Sequence, residues 1–342
     1  MADIVKQTVG IDVAQDELVV SLGRMSHDTG TEIFASGTFA NSPKGFSELL
    51  KWTDKLAAVG IGTGYVMEAT GVYHEKLAYF LSEHGREVSI VLPNKISNYF
   101  RTLEVKTVTD RTASQAICRF GLERKLEPWQ RPKRIFRDLK QLTRERDQLV
   151  MDRTSLKNQL HAERSEAFPN QGSIKRINMR IQMINSHELE IRTEIAGLVR
   201  TDTELSKKID AITSIPGVGK LTAVIALAET NGFEHIRNKR QLVSYAGLDV
   251  RLKESGTSVK GRPRISKKGN RHLRKSMYMP ALAAMRFNEV HKALFTRLVS
   301  RHGIKMKAAV AVQRKVLELI YIVYKTGKAF ERNYQSPTKD GI

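Results

Sequence analysis

Thr8-Val9-Gly10-Ile11-Asp12-Val13 is the stretch on which the reading of the fold turns. A β-branched run with an acid near its end reads as a strand that opens a domain and delivers a carboxylate. Leu18–Leu22 follows as a second apolar run, so the two read as a hairpin. Ile33–Phe39 reads as a third strand, and Asn41-Ser42-Pro43 as a turn into a helix over Gly45–Ala57. Ala58–Gly64 is too glycine-rich for a helix and reads as a loop or short strand. Strand Tyr65–Glu68, helix Tyr73–His84 and strand Val88–Leu92 follow. This order predicts a mixed sheet with helices, an α/β domain over residues 1–125. Ligands of such sheets bind beyond the C-terminal ends of strands, where Asp12 and Glu68 fall. Asp110 stands before a further helical pattern. One acid after a strand is commonly structural, but three at the ends of separate elements, converging, have a common use. They hold Mg²⁺ or Mn²⁺ between a phosphate oxygen and a nucleophile.

The 342 residues are enough for two domains. Lys and Arg number 57 against 36 Asp and Glu, a net charge of +21, yet residues 1–100 hold 8 basic and 12 acidic residues. The basic surplus therefore lies beyond residue 100 and points to a polyanion handled there, not by the first domain. A small-molecule enzyme of this sheet class has no need of such a surplus. Cys118 is the one cysteine, which excludes a disulfide framework or a cysteine zinc cluster and suits a reducing cytoplasm. No basic-then-apolar leader opens the chain, and the longest apolar candidate for a span, Val316–Val323, is interrupted by Glu318. A soluble intracellular protein without membrane contact is expected. Gly62 and Gly64, and Gly217 and Gly219, lack the pattern of a nucleotide loop.

Glu127-Pro128-Trp129-Gln130-Arg131-Pro132 is a break. Beyond it Ile135, Leu139, Leu142, Leu149, Leu156 and Leu160 form a heptad seam, and Ile177, Ile181, Ile184, Ile191, Ile195 and Leu198 form a second. Two long helices joined through 168–172 make either a hairpin within the chain or a coiled coil between chains. Arg146 and Arg153 within the first seam argue that part of it opens onto solvent or a phosphate backbone. Residues 126–210 are thus expected to be a coiled-coil linker and oligomerisation region. Ser214-Ile215-Pro216-Gly217-Val218-Gly219-Lys220, before the apolar helix Leu221–Ala228, is a helix-hairpin-helix-like turn whose N–H groups suit a phosphate, or a plain tight turn.

Residues 251–280 hold ten basic residues and one acid, Glu254. Ser255–Arg262 reads as a flexible hydroxyl-rich loop, and 265–274 leads into a helix over Leu273–Arg286. A second helix, Lys307–Tyr324, closes a mostly helical domain over 211–332, with a polar tail at 333–342. Lys220, Lys260, Arg262, Arg264, Lys267, Lys268, Arg271 and Arg274, with Arg146 and Arg153, are the candidate nucleic-acid contacts.

These segments in this order resemble one family. Gly10-Ile11-Asp12-Val13, Met67-Glu68-Ala69-Thr70-Gly71, Leu92-Pro93-Asn94-Lys95, Thr109-Asp110, 215–219, Ser244-Tyr245-Ala246-Gly247-Leu248, Ser255-Gly256 and 265–274 are similar to the DEDD-type insertion-sequence transposases, relatives of the Piv invertase described as bridge-RNA-guided recombinases. The resemblance implies a RuvC-like, ribonuclease H-like N-terminal domain, a coiled-coil linker and a C-terminal transposase domain with an essential serine. It further implies a dimer or tetramer that binds a structured non-coding guide RNA and recombines donor and target DNA in a prokaryotic cell, at the nucleoid while active. Carried over residue by residue, the acids are Asp12, Glu68 and Asp110, and the nucleophile is Ser255. The chain departs from the pattern at Ala113, where the family has its fourth acid. Either three carboxylates and a neighbour such as Thr109 or Ser114 hold the metal, or the chain is inactive. Two rival readings stand beside this one: a metal-dependent nuclease or Holliday-junction resolvase with water as nucleophile, and a non-catalytic nucleic-acid-binding relative.

Overall fold

The computed structural model describes residues 4–331 except 29, 70, 104, 106, 252, 253, 256–258, 262 and 263, and only the backbone of 254, 255, 259 and 260. Arg262, the segment 256–258 and the tail 333–342 therefore lie outside the described residues, as does the side chain of Lys260. The chain divides into two compact units, Met1–Arg131 and Pro132–Ile342.

The first unit is built on β1 (Ile4–Val13), β2 (Glu17–Ser26), β3 (Gly30–Ala40), α1 (Pro43–Leu56), β4 (Thr63–Glu68), α2 (His74–Glu83), β5 (Glu87–Val91), α3 (Pro93–Phe100) and α4 (Asp110–Glu123). The sheet order is β3-β2-β1-β4-β5. The expected hairpin is present, with Thr8 opposite Gly23 and Asp12 opposite Val19. Strands β1, β4 and β5 run parallel. Ser42 starts α1 by accepting a hydrogen bond from Gly45 N at 3.3 Å. The eight-residue helix α3 stands after β5 where the sequence reading has only a motif; Pro93 begins it, its fixed φ suiting a first turn.

Alternation along β1 assigns its two faces. Val9, Ile11 and Val13 join the core with Phe46 and Leu49 of α1 and Leu77 and Leu81 of α2. Thr8, Gly10 and Asp12 face the other way, where α4 crosses at backbone distance. A Cβ on Gly10 would come to 2.2 Å from Cys118 N and 2.5 Å from Ser114 O. From the helix side, a Cβ on Gly121 would meet Thr8 Cγ2 at 2.6 Å. The Cys118 thiol donates to Thr8 O at 3.2 Å, and burial pushes its pKa up to about 12, so it stays protonated. Lys6 Nζ donates to the carbonyls of Gly121 at 2.5 Å and Arg124 at 2.8 Å, placing a cation at the helix C-terminus where the dipole favours it.

The second unit contains α5 (Arg134–Arg164), α6 (Gln171–Thr201), α7 (Thr203–Thr213), α8 (Lys220–Glu229), α9 (Lys239–Tyr245), β6 (Val250–Arg251), β7 (Glu254–Ser255), β8 (Val259–Lys260), β9 (Arg264–Ile265), α10 (Arg271–Ser276), α11 (Tyr278–Phe287), α12 (Glu289–His302) and α13 (Lys305–Thr326). Helices α5 and α6 are each 31 residues long, and their seams meet within the chain: Leu149, Leu156 and Leu160 cluster with Ile177, Ile181 and Ile184. Leu139, Ile191 and Ile195 instead enter the main core with Ile209, Leu227, Leu273 and Val316. Residues of the expected linker thus share one core with the C-terminal helices.

Two expectations are corrected here. Leu273–Arg286 is not one helix: α10 ends at Ser276 and α11 begins at Tyr278. Pro280 explains the break, because its ring would clash with the carbonyl of Ser276 in a continuous helix. The segment around Ser255 is not simply a loop. Val250 pairs with Ile265 and Arg251 with Arg264, and inside them Glu254 pairs with Lys260 and Ser255 with Val259, all antiparallel. Among the described residues no helix is long and apolar enough to cross a membrane.

Replacing Gly10 with Ala should destabilise the first unit by at least about 1–3 kcal/mol, because the added methyl meets backbone rather than a side chain that can turn aside. Chemical denaturation of the full chain, followed by the fluorescence of Trp52 and Trp129, checks this. Ala at Gly64, likewise in a strand but with no heavy atom within 4 Å of the added Cβ, is the control that lacks the clash and should cost far less.

Candidate acidic site and nucleic-acid surface

The register of the sheet brings two acids together. Ile11 pairs with Met67 on parallel strands, so Asp12 and Glu68 occupy the next position on each and point to the same face. Helix α4 runs down that face from Asp110 towards Lys6. With Gly10 against Ser114 and Cys118, the rise of about 3.3 Å per strand residue and 1.5 Å per helical residue carries Asp12 to the helix's first turn. The electrostatics agree with this placement. Burial, and after it the charges of Asp110 and Glu68, raise the pKa of Asp12 from its ordinary 3.8 to about 6, against the opposing hydrogen bond from the Val13 N–H. Glu68 is half-buried and Asp110 exposed. Among the described residues, no three His, Cys, Asp or Glu side chains are gathered closely enough to hold an ion as they stand. The three acids expected from the sequence lie toward one end of the sheet, and Asp12 feels the charges of the other two.

Ala113 lies one turn beyond Asp110, on the same side of α4. Both hydroxyls expected to stand in for the missing acid are engaged within the chain, Thr109 at an exposed position and Ser114 at a buried one. Thr109 caps the helix and accepts from Thr112 N at 3.2 Å. Ser114 is fully buried, 2.8 Å from Ser21 Oγ and donating to Arg111 O at 2.9 Å.

In the second unit, charge partners divide the basic residues into two groups. Arg146 and Arg153 both pair with Glu188 of α6, Arg146 at 2.7 Å, and Arg153 also donates to Asn185 at 3.0 Å. A carboxylate within the chain occupies the place expected for solvent or phosphate. Burial would raise the pKa of Glu188, but hydrogen bonds and charge from Arg153 and Arg146 outweigh it and hold the carboxyl below its usual range. Arg274 donates to Ala246 O at 2.8 Å. Arg264, Lys267, Lys268 and Arg271 are exposed. Lys220 is exposed as well, at the start of α8 and 3.4 Å from Asp210.

The sequence reading missed Glu229. Its carboxylate is buried at the end of α8, accepts from Arg144 Nε at 2.8 Å and Nη2 at 2.9 Å, and accepts from Asn270 Nδ2 at 2.6 Å. Tyr245 donates to its carbonyl at 2.7 Å, and Asn270 N donates to Tyr245 O at 2.7 Å. Through this network the segments 244–248 and 265–274 interlock at the base of the short ladders. Gly269 completes the fit, since a Cβ there would lie 2.4 Å from Tyr245 O. The available signal was an acid ending an otherwise apolar helix, which requires a cationic partner when it is buried.

Comparison with known proteins adds the following. Residues 9–169 match the DEDD, IS110-type family model described as "Transposase", and residues 209–296 match the one described as "Transposase IS116/IS110/IS902 family". The chain is 28% identical over 337 residues to the "Pilin gene-inverting protein" of Moraxella bovis, spanning 96% of this chain and 98% of that one. It is 25% identical over 304 residues to the "Transposase for insertion sequence element IS1111A" of Coxiella burnetii, spanning 79% and 80%. Among solved structures, RuvC of Thermus thermophilus aligns with 36% of this chain and 99% of its own, at 11% identity and a TM-score of 0.28.

A carboxyl whose pKa is raised on folding binds more protons in the native state, so native stability falls as pH rises from about 4 through 6. Asp12→Asn removes that loss. In the absence of divalent metal the variant should melt higher than the parent at pH 7, with the gap closing towards pH 4, as read by differential scanning calorimetry.

Proposed function

The chain belongs to the DEDD-type insertion-sequence transposases, and from that premise we propose that it breaks and rejoins donor and target DNA under the guidance of a structured non-coding RNA. The observation that carries the proposal is that Asp12, Glu68 and Asp110 lie toward one end of the first unit's sheet, with Asp12 under the charge of the other two, in a chain whose second unit has exposed basic residues. The first unit acts as a RuvC-like, ribonuclease H-like acidic domain. Three carboxylates toward one end of a sheet, one of them with its pKa raised by burial and by the charge of the other two, are a donor set that suits Mg²⁺ or Mn²⁺. Asp12, Glu68 and Asp110 would hold it, and when bound it supplies a positive charge that polarises a phosphate and lowers the pKa of a hydroxyl.

Ser255 is the nucleophile. Its oxygen forms a bond to phosphorus while the bond from phosphorus to a deoxyribose oxygen breaks, and the departing sugar oxygen takes up a proton. The phosphodiester energy stays in the serine–DNA link and is available for rejoining. Arg264, Lys267, Lys268 and Arg271, with Lys220, neutralise backbone phosphates without reading sequence, as suits a protein whose specificity comes from RNA pairing. Met179 and Met183, four residues apart and 58% and 55% exposed on α6, offer a further apolar stripe to another copy in a dimer or tetramer. The working place is the cytoplasm of a prokaryotic cell, at the nucleoid.

Two measurements test this. Mn²⁺ should raise the melting temperature of the parent, raise it more in Ala113→Asp, and leave Asp12→Asn unmoved; equal shifts in all three remove the metal assignment. Denaturing a reaction of protein, RNA and labelled DNA should trap an adduct on the peptide containing Ser255, absent in Ser255→Ala. Recombination or cleavage that survives in Ser255→Ala replaces the serine with water and favours the resolvase reading, whereas an Ala113→Asp chain without metal binding or adduct favours a binding protein.

A further inference from the structure

Exposed large apolar side chains of the first unit are unevenly distributed. Among its described residues they are Val5, Leu56, Val59, Val72, Tyr73, Leu92, Val105 and Val108. Five of these eight follow the end of β4, follow the end of β5, or lie two to five residues before Asp110. Val72, Tyr73 and Leu92 thus follow strand ends on the side of the sheet that carries Asp12 and Glu68, and Val105 and Val108 lead into Asp110. An apolar rim around an acidic site does not suit a paired duplex, which presents phosphates and base edges. It suits unpaired nucleotides, whose faces are apolar.

Tyr73 is the one aromatic side chain among them, and it is held in place. Its hydroxyl donates to Gln15 Oε1 at 3.3 Å, three residues beyond Asp12. Asn41 Nδ2 donates both to Ala14 O at 2.8 Å and to Tyr73 O at 3.3 Å, tying the turn after β1 to the start of α2. The side chain is tethered at its tip while the residue remains 42% exposed. A ring fixed at one end and open to solvent loses little freedom when a base stacks on it. Lys95 and Arg111 are exposed near the ends of the same elements and supply cations for the phosphates flanking such a base.

We propose that Tyr73, with the exposed Val72, Leu92 and Val108 near the element ends that carry the acids, is a stacking platform for an unpaired nucleotide of the DNA strand that enters the acidic site. This rests on the proposed function for the choice of DNA, since the strand acted on must pass the acids. The platform would explain how a strand is held open beside Asp12 without sequence-reading contacts, and it makes Tyr73 a substrate-binding residue where the sequence reading has only a helix start.

The test uses the full chain in EDTA, so that binding is read without metal or chemistry. Single-stranded DNA carrying 5-iododeoxyuridine is bound, irradiated, digested and mapped by peptide mass. The expected result is an adduct at Tyr73, at least about tenfold more abundant than with the same base paired in a duplex. Tyr73→Phe should keep it within about threefold, because the ring remains, and Tyr73→Leu should lose it. Should Tyr73→Leu fail to fold, Leu92→Ser and Val108→Ser, at positions 58% and 73% exposed, should each lower the yield at Tyr73. Adducts confined to residues 132–342, equal yields from paired and unpaired base, or a stronger adduct with a 5-iodouridine oligoribonucleotide would each overturn the proposal. So would a fall in oligomer mass in Leu92→Ser and Val108→Ser with unchanged crosslinking, which makes a second copy the occupant. A Tyr73 adduct with recombination intact in Asp12→Asn upholds this platform and rejects the acidic-site reading, and the converse result separates them the other way.

Discussion

The first unit depends on one close approach, the crossing of α4 over β1 at Gly10. Backbone meets backbone there, with Ser114 O and Cys118 N where a side chain would stand, and Gly121 returns the fit from the helix. Such a contact sets the height of the helix along the strand, because neither surface has a flexible side chain to absorb a shift. Lys6 at the far end of α4 fixes the same register through the last carbonyls. Asp110 therefore reaches the level of Asp12 as a consequence of how glycine lets two elements touch. The position of an acid depends on a residue with no chemistry of its own.

The site so assembled works against stability. Half-burial of Asp12 and, after it, the negative charges of Asp110 and Glu68 disfavour its ionised form, and Asp12 answers by holding its proton to about pH 6. This is the pattern in which local cost marks function, with the surrounding core offsetting it. The core can do so because Val9, Ile11 and Val13 on the opposite face of the same strand are almost wholly buried. One strand thus carries two kinds of residue by strict alternation: those that stabilise the unit and those that serve it.

In the second unit the same accounting sorts the cations. Arginines inside the helical framework have carboxylate partners, Glu188 for Arg146 and Arg153, Glu229 for Arg144, and such pairs hold geometry where unpaired burial would be costly. Arginines and lysines of the 264–271 segment stay exposed, available to a polyanion. Net charge alone does not separate the two groups. Glu229 in addition locks Asn270 and Arg144 together, so the ladders carrying Ser255 rise from a base tied to the long helix α5.

The strands and most of the helices were legible because their signals are local: β-branched alternation at 8–13, the Ser42 cap before Pro43, the heptad steps of α5 and α6. The break at Met277 was also written locally, in Pro280, but was masked by the apolar period on either side of it. Asp12, Glu68 and Asp110 could be named as candidates from their places at element ends, and the basic surplus beyond residue 100 could be assigned to a polyanion from counting alone. What the residues could not say by themselves was which charges face one another. Glu188 looked like any helical acid, Glu229 carried only the hint of ending an apolar helix, Thr109 and Ser114 looked like spare ligands, and Tyr73 looked like the first residue of a helix. Partnership is a relation between residues tens to over a hundred positions apart, and only tertiary structure decides it, because burial and distance set the energy of a charge or a hydroxyl far more than its sequence neighbours do.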